Sequence, residues 1–320
     1  MLSAFIGVVA AILAASLLVT LYFVYATRRI ACNAEQKVPP VGAFVTVDGE
    51  RIHYIERGEG RPILMIHGLG GTLHHLRRPL MEAFGDGYRL IAIDRPGSGY
   101  STRANGRSGG LREQADFISH LIDALGLEKP LLVGHSLGGA IALATALDHP
   151  AKIAGLALIS PLTHTSEPST AFAALTIRSP LKRRIIANTI ALPISIRNAP
   201  MVLDYVFGPQ KPPADYAVAG GALAGLRPSH FYATATDFAA LEHELPRQET
   251  RYGELDMPVG ILYGTQDRII DYRANGLAME GKVKELDLEI IDGIGHMPQY
   301  AETARVVAFI RRIAERAFVH

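Results

Sequence analysis

The sequence predicts an α/β protein built on a mostly parallel β-sheet, and three observations carry that expectation. Short apolar runs alternate with helix-like segments along most of the chain after about residue 43. One strand-turn-helix run sets a serine between glycines, at Gly134-His135-Ser136-Leu137-Gly138. A single block rich in proline and helix-like pieces, from about 161 to 254, interrupts the alternation.

The first element is of a different kind. From Leu2 to Ala26 there is no charged side chain, and about 25 residues rising about 1.5 Å each exceed the roughly 30 Å hydrocarbon core of a bilayer. Arg28 and Arg29 close the run, and Tyr22 and Tyr25 stand where interfacial aromatics belong. A cleaved signal peptide would want a basic start, a shorter apolar run and a small-residue cleavage site. A lipoprotein reading through Cys32 meets charged Arg29 just before it. The expectation is a single-pass membrane anchor over 1–27. Arg28, Arg29 and Lys37 follow the run and no Lys or Arg precedes it, so the rest of the chain is expected on the cytoplasmic side.

A linker is expected over 28–42, with Asn33 to Pro40 polar and proline-containing. Phe44 to Val47 and Arg51 to Glu56 then flank Asp48-Gly49, a strong hairpin signal. Ile63 to Ile66, Leu90 to Ile93, Leu131 to Val133, Ile153 to Ile159, Val259 to Tyr263 and Glu285 to Ile291 read as strands buried on both faces. Leu111 to Leu125, Gly138 to Leu147 and Ala301 to Ala317 carry helical patterns. The expected organisation is a core in two parts, 43–160 and 255–320, with a helical cap over 161–254 inserted between them.

Composition narrows the function classes. Lys and Arg total 32 against 31 Asp and Glu, and neither sign dominates a long stretch, so no nucleic-acid partner is expected. The single cysteine, Cys32, has no partner for an intramolecular disulfide. No metal-ligand spacing, redox motif or glycine-rich phosphate loop of the right pattern occurs, and no cofactor is expected.

Gly134-x-Ser136-x-Gly138 lies between the apolar strand Leu131 to Val133 and a small-residue helix. Pushing a serine hydroxyl out of such a turn strains the backbone, and a Cβ at either glycine would crowd the turn. The helix that follows aims its dipole and free N–H groups at the reacting oxygen. A serine hydroxyl needs a base to take its proton, and the base needs an acid to hold its tautomer. Residues 264–267 end an apolar strand in a loop bearing Asp267, and Ile291-Asp292-Gly293-Ile294-Gly295 leads by a small turn into His296-Met297-Pro298 and a helix.

With these motifs the chain resembles the α/β-hydrolase superfamily over about residues 43–160 and 255–318, as a serine esterase or lipase-like member with a cap insertion. The resemblance implies an α/β-hydrolase fold, Ser136 as nucleophile, His296 as base and Asp267 as acid, in the family's chain order. Ile66-His67-Gly68-Leu69-Gly70-Gly71 resembles the family's oxyanion loop, which implies that the N–H groups of Leu69 and Leu137 stabilise the oxyanion. Asp94-Arg95-Pro96-Gly97-Ser98-Gly99 resembles the loop after the next strand, and its Asp94 is expected to be structural. Asp271 and Asp292 are expected in a turn or a solvated loop. His67 and His135 are expected to pack within their motifs, and His74, His75, His120, His149, His164, His230 and His243 to be surface or cap residues.

Dehalogenases and epoxide hydrolases of this fold attack with aspartate, which Ser136 argues against. Carbon–carbon bond hydrolases resemble the layout but usually carry Asn before the nucleophile, where this chain has His135. Cofactor-free perhydrolases share the triad and stay open, as does a non-catalytic membrane-anchored binding protein. Hydrolysis of a hydrophobic carboxylic ester is the activity the resemblance implies. The apolar texture of Phe172 to Ile177, Ile185 to Ile196, Met201 to Val206 and Ala217 to Leu226 suits a greasy acyl group, or packs the cap helices on one another. Lys182, Arg183 and Arg184 either touch anionic headgroups or form a solvated face.

Overall fold

The computed structural model describes residues 1–165, 172 and 175–319. Helix α1 runs unbroken from Leu2–Lys37. Among the described residues eight strands follow: β1 (Ala43–Val47), β2 (Glu50–Arg57), β3 (Arg61–Ile66), β4 (Tyr88–Ile93), β5 (Leu131–His135), β6 (Gly155–Ile159), β7 (Val259–Gly264) and β8 (Leu286–Ile291). They form one sheet in the order β1-β2-β4-β3-β5-β6-β7-β8. Only the β1–β2 and β2–β4 pairs are antiparallel; every pair from β4 to β8 is parallel. The hairpin turns at Asp48 and Gly49, both at positive φ (51° and 80°), the backbone that a tight two-residue connection requires.

The longer helices are α2 (Leu111–Ala124), α3 (Leu137–Asp148), α4 (Pro180–Asn188), α5 (Ala191–Phe207), α6 (Pro228–Gln248) and α7 (Thr303–Ala317). Because side chains alternate across a strand, the sheet feeds two cores. Leu64, Ile66, Ile91, Ile93 and Leu132 pack with α2 and α3 on one face. Ile63, Met65, Leu90, Ala92, Leu131 and Val133 pack with α7 on the other. Both faces are covered, which is why these strands read as continuous apolar runs.

Helices α4, α5 and α6 all lie in the chain between β6 and β7. Residues 166–171, 173 and 174, which include part of the apolar stretch Phe172 to Ile177, lie outside the described residues. Two expectations change here. Residues 28–37, expected as linker, continue α1, since no proline or glycine interrupts the chain until Pro39. Their packing supports the helix: Thr27, Ala34 and Val38 are buried, and α1 lies against α4, α5 and the 3₁₀ turn Ala222–Gly225. Arg183, expected with Lys182 and Arg184 either to touch anionic headgroups or to form a solvated face, is buried and donates to the Ile177 carbonyl (2.6 Å) and to Thr236 Oγ1 on α6 (2.7 Å).

Candidate active site

The centre of the site is the turn between β5 and α3. Ser136 sits there with φ 54° and ψ −120°, a left-handed-side conformation rare for a residue with a Cβ. The neighbouring glycines are sterically required. A Cβ on Gly134 would lie 2.5 Å from the Gly138 carbonyl oxygen, and one on Gly138 would lie 2.1 Å from that of Ile66. Strand β3 ends beside this turn, so the loop after it comes close: a Cβ on Gly68 would lie 2.9 Å from the Ser136 Cβ.

Asp267 and His296 arrive on the loops after β7 and β8. Their side chains meet with His296 Nδ1 2.7 Å from Asp267 Oδ2, both buried. Asp267 is itself fixed, because its Oδ1 accepts from the N–H groups of Ile269 (2.8 Å) and Ile270 (2.9 Å). With Oδ2 as the acceptor, Nδ1 carries the proton and Nε2 is left as the basic nitrogen. The His296 loop is brought to the serine turn by His135, whose Nε2 donates to the His296 carbonyl at 2.9 Å while the two rings lie 4.8 Å apart. Burial pushes the His135 imidazole well below its ordinary value, so it stays neutral and donates from one nitrogen only.

The other carboxylates have other work. Asp292 is exposed and accepts from Thr265 Oγ1 (2.8 Å). Asp271 caps the short helix Tyr272–Asn275. Asp94 accepts from the N–H groups of Leu73 and Tyr100 and pairs with His53 Nδ1, locking two loops together. Among the described residues no cluster of three or more His, Cys, Asp or Glu is placed to hold a metal.

The loop Gly68-Leu69-Gly70 is oriented by a group that motif reading passed over. The guanidinium of Arg95 is fully buried; its Nε donates to the His67 carbonyl and its Nη2 to the Gly68 carbonyl, both at 3.1 Å. In a trans peptide the C=O and the next N–H point opposite ways, so holding the Gly68 carbonyl toward Arg95 turns the Leu69 N–H away from it. The Leu137 N–H, at the first position of α3, has no acceptor one turn back in its own helix.

The charge of Arg95 is met from the other side by Asp237 on α6, whose Oδ2 lies 2.6 Å from Nη1 and whose Oδ1 binds Arg103 at 2.6 Å. Breaking so buried a pair by removing one partner ordinarily costs about 3–5 kcal/mol. Two more residues from the same region act at short range. Gln210 accepts from the Gly295 N–H and donates to the Gly293 carbonyl, bracing the His296 loop. His230 on α6, expected as a surface or cap residue, is buried: Nε2 donates to the Gly70 carbonyl and Nδ1 accepts from the Gly99 N–H, each at 3.1 Å. No local signal marks His230 or Gln210, since each acts on a loop far away in the sequence.

His230 must be neutral to make both bonds, and burial lowers its pKa below the ordinary histidine value, which keeps it so at pH 7. His230→Ala is expected to lower kcat about tenfold with little change in KM, because it loosens the loop that carries Leu69 without touching the substrate. His230→Gln, whose amide can also donate to one loop and accept from the other, should recover most of that loss. Steady-state kinetics on both variants check this, and equal losses in the two would assign His230 a packing role only.

Comparisons with known proteins bear on the fold that carries this geometry. Residues 61–181 match the family model described as alpha/beta hydrolase fold. A 2-hydroxymuconate semialdehyde hydrolase of Pseudomonas putida is 27% identical over 301 residues, covering 90% of this chain and 99% of that protein. The dihydrolipoyllysine-residue acetyltransferase component of the acetoin cleaving system of Cupriavidus necator is 38% identical over 121 residues; this match spans about a third of that relative's length (32%) and 37% of this chain. Among solved structures, that of a membrane phospholipase A described as a bacterial virulence factor superposes with a TM-score of 0.68 at 22% identity, over 99% of both chains. Together with the sheet order and the strained serine turn, these matches lead to one conclusion: the chain has the α/β-hydrolase fold, with the family's own model matching it over residues 61–181.

Proposed function

We propose that this protein is a membrane-anchored serine hydrolase that cleaves hydrophobic carboxylic esters through an acyl-enzyme on Ser136. The observation that carries the reading is the buried His296–Asp267 pair at 2.7 Å, joined through His135 to a serine held at positive φ. Ser136 Oγ attacks the ester carbonyl while His296 Nε2 takes its proton, and Asp267 stabilises the imidazolium. The N–H groups of Leu69 and Leu137 receive the oxyanion. His296 then gives its proton to the leaving alcohol. Water repeats the sequence to release the acid.

Residues 161–254 are proposed as the cap that shapes the substrate site, since loops and lids set preference while the triad stays generic. The apolar stretch of α1 is long enough to cross a bilayer; membrane anchoring through it is part of the proposal.

A series of p-nitrophenyl esters of graded acyl length, assayed with the full-length protein in detergent, tests the reading. Turnover is expected throughout and should rise with chain length toward medium or long acyl groups. The similarity to the Pseudomonas putida hydrolase over 90% of this chain motivates a second reading, carbon–carbon bond hydrolysis. Bleaching of a 2-hydroxy-6-oxo-dienoate chromophore with no ester turnover would replace the first reading by the second.

A further inference from the structure

The cap region holds a set of aliphatic side chains that pack no core. Leu181 is 69% exposed, Ile185 54% and Ile194 45%, although the stretch from Ile185 to Ile196 reads in sequence as packing or substrate-lining. Singly exposed aliphatics need no explanation, but these cluster about one corner of the fold. Helices α4 and α5 meet there at 78° across a two-residue break.

That corner is fixed to α1 at a definite height. Thr27 Oγ1, buried, donates to the Thr189 carbonyl between α4 and α5. Thr27 follows directly on the uncharged run Leu2 to Ala26 and precedes Arg28 and Arg29. Burial of α1 begins still earlier, at half-buried Phe23 and Val24, inside the uncharged run. Ile185 lies one helical turn before Thr189, whose hydroxyl donates back to its carbonyl at 2.7 Å, and Ile194 lies one turn after Ile190. At about 1.5 Å per residue both sit within roughly 8 Å of the level at which α1 leaves its apolar stretch. Exposed Lys182 and Arg197 flank them, and exposed Arg28 and Arg29 stand beside them on α1. Aliphatics edged by cations at one level are what an interfacial surface presents to lipid headgroups and the first methylenes below them.

We propose that the α4–α5 corner, through Leu181, Ile185 and Ile194, is a second membrane contact that seats the cap in the lipid surface beside α1. It rests on the reading of α1 as a membrane anchor. The consequence reaches the site: α5 begins at this contact and ends at Phe207, which packs with Tyr216 and Met297 beside His296. The lipid surface and the base loop are thereby joined by one helix.

Full-length Cys32→Ser protein in phosphatidylcholine–phosphatidylglycerol vesicles provides the test. An environment-sensitive fluorophore is placed in turn on Ile185→Cys, Ile194→Cys, Leu13→Cys in the apolar run and Glu128→Cys on the loop before β5. Lipid-borne nitroxide is expected to quench the probe on Ile185→Cys and Ile194→Cys as well as on Leu13→Cys. Aqueous iodide should quench these probes at least about threefold less than the one on Glu128→Cys, as for side chains at an interface. If Ile185→Cys and Ile194→Cys behave like Glu128→Cys while Leu13→Cys is lipid-quenched, the second contact is wrong and the anchor stands. If Leu13→Cys is not lipid-quenched either, the anchor reading falls and the proposal with it. Shielding of Ile185→Cys and Ile194→Cys from both quenchers would mean that a second copy of the chain covers the corner, which also overturns the proposal.

Discussion

Ser136→Ala and His296→Ala are each expected to lower turnover of a p-nitrophenyl ester by about 10⁴-fold or more, and the double variant by scarcely more than either alone. In the proposed mechanism Ser136 supplies the oxygen that enters the acyl-enzyme, and His296 acts as the base that takes its proton. Neither loss should come from unfolding. The strain at φ 54° belongs to the backbone turn and is the same for alanine, which carries the same Cβ, so Ser136→Ala keeps the turn and the flanking glycine contacts. A fluorophosphonate that labels the wild type and not Ser136→Ala, with thermal unfolding unchanged, checks the assignment. Labelling that moves to another serine would refute it.

Asp267→Asn carries the second large effect, expected at about 10³- to 10⁴-fold in kcat, whereas Asp292→Asn should cost less than about threefold. The reason is the direction in which the new amide must point. Asp267 Oδ1 accepts two backbone N–H groups, from Ile269 and Ile270, and only the oxygen of an asparagine can replace it there. The NH₂ group is then forced onto the position of Oδ2, against His296 Nδ1. That nitrogen becomes an acceptor, the proton moves to Nε2, and the base is lost. Asp292 lies only four residues from His296, yet it is exposed and meets Thr265 Oγ1 through Oδ1, a bond that asparagine keeps. Comparable losses in the two variants would reverse the assignment of the acid.

Much of this architecture is legible in the sequence because it is written locally. The six apolar runs read as buried strands and the two arms of the Asp48-Gly49 hairpin correspond to β1 to β8, since a buried strand and a tight turn are each written within five or six residues; β8, expected to be buried on both faces, is partly exposed along most of its length because it forms the edge of the sheet. The start of β6 moved by two residues, from Ile153 to Gly155, and the 3₁₀ turn Pro150–Lys152 lies just before it. The serine turn carries its own steric signature in Gly134 and Gly138. Asp267 and His296 stand out because each follows a strand end.

What only the tertiary structure decided is of another kind. Arg95 and Asp237 are 142 residues apart, and His230 meets Gly70 across 160. No periodicity or turn chemistry can announce a pair of that separation. Sequence reading likewise stopped the membrane helix near residue 27, because charge marks where lipid ends and carries no information on where a helix ends. The helix continues to Lys37 because Ala34 and Val38 find partners on the far side of the chain. The sequence by itself determined the sheet, the strained serine turn and the apolar run of α1, all products of local steric and hydrophobic pattern. The tertiary structure alone decided which long-range side chains hold the Gly68–Gly70 and His296 loops, and which face of the α4–α5 corner is left uncovered, because burial and pairing there depend on segments that meet only when the chain folds.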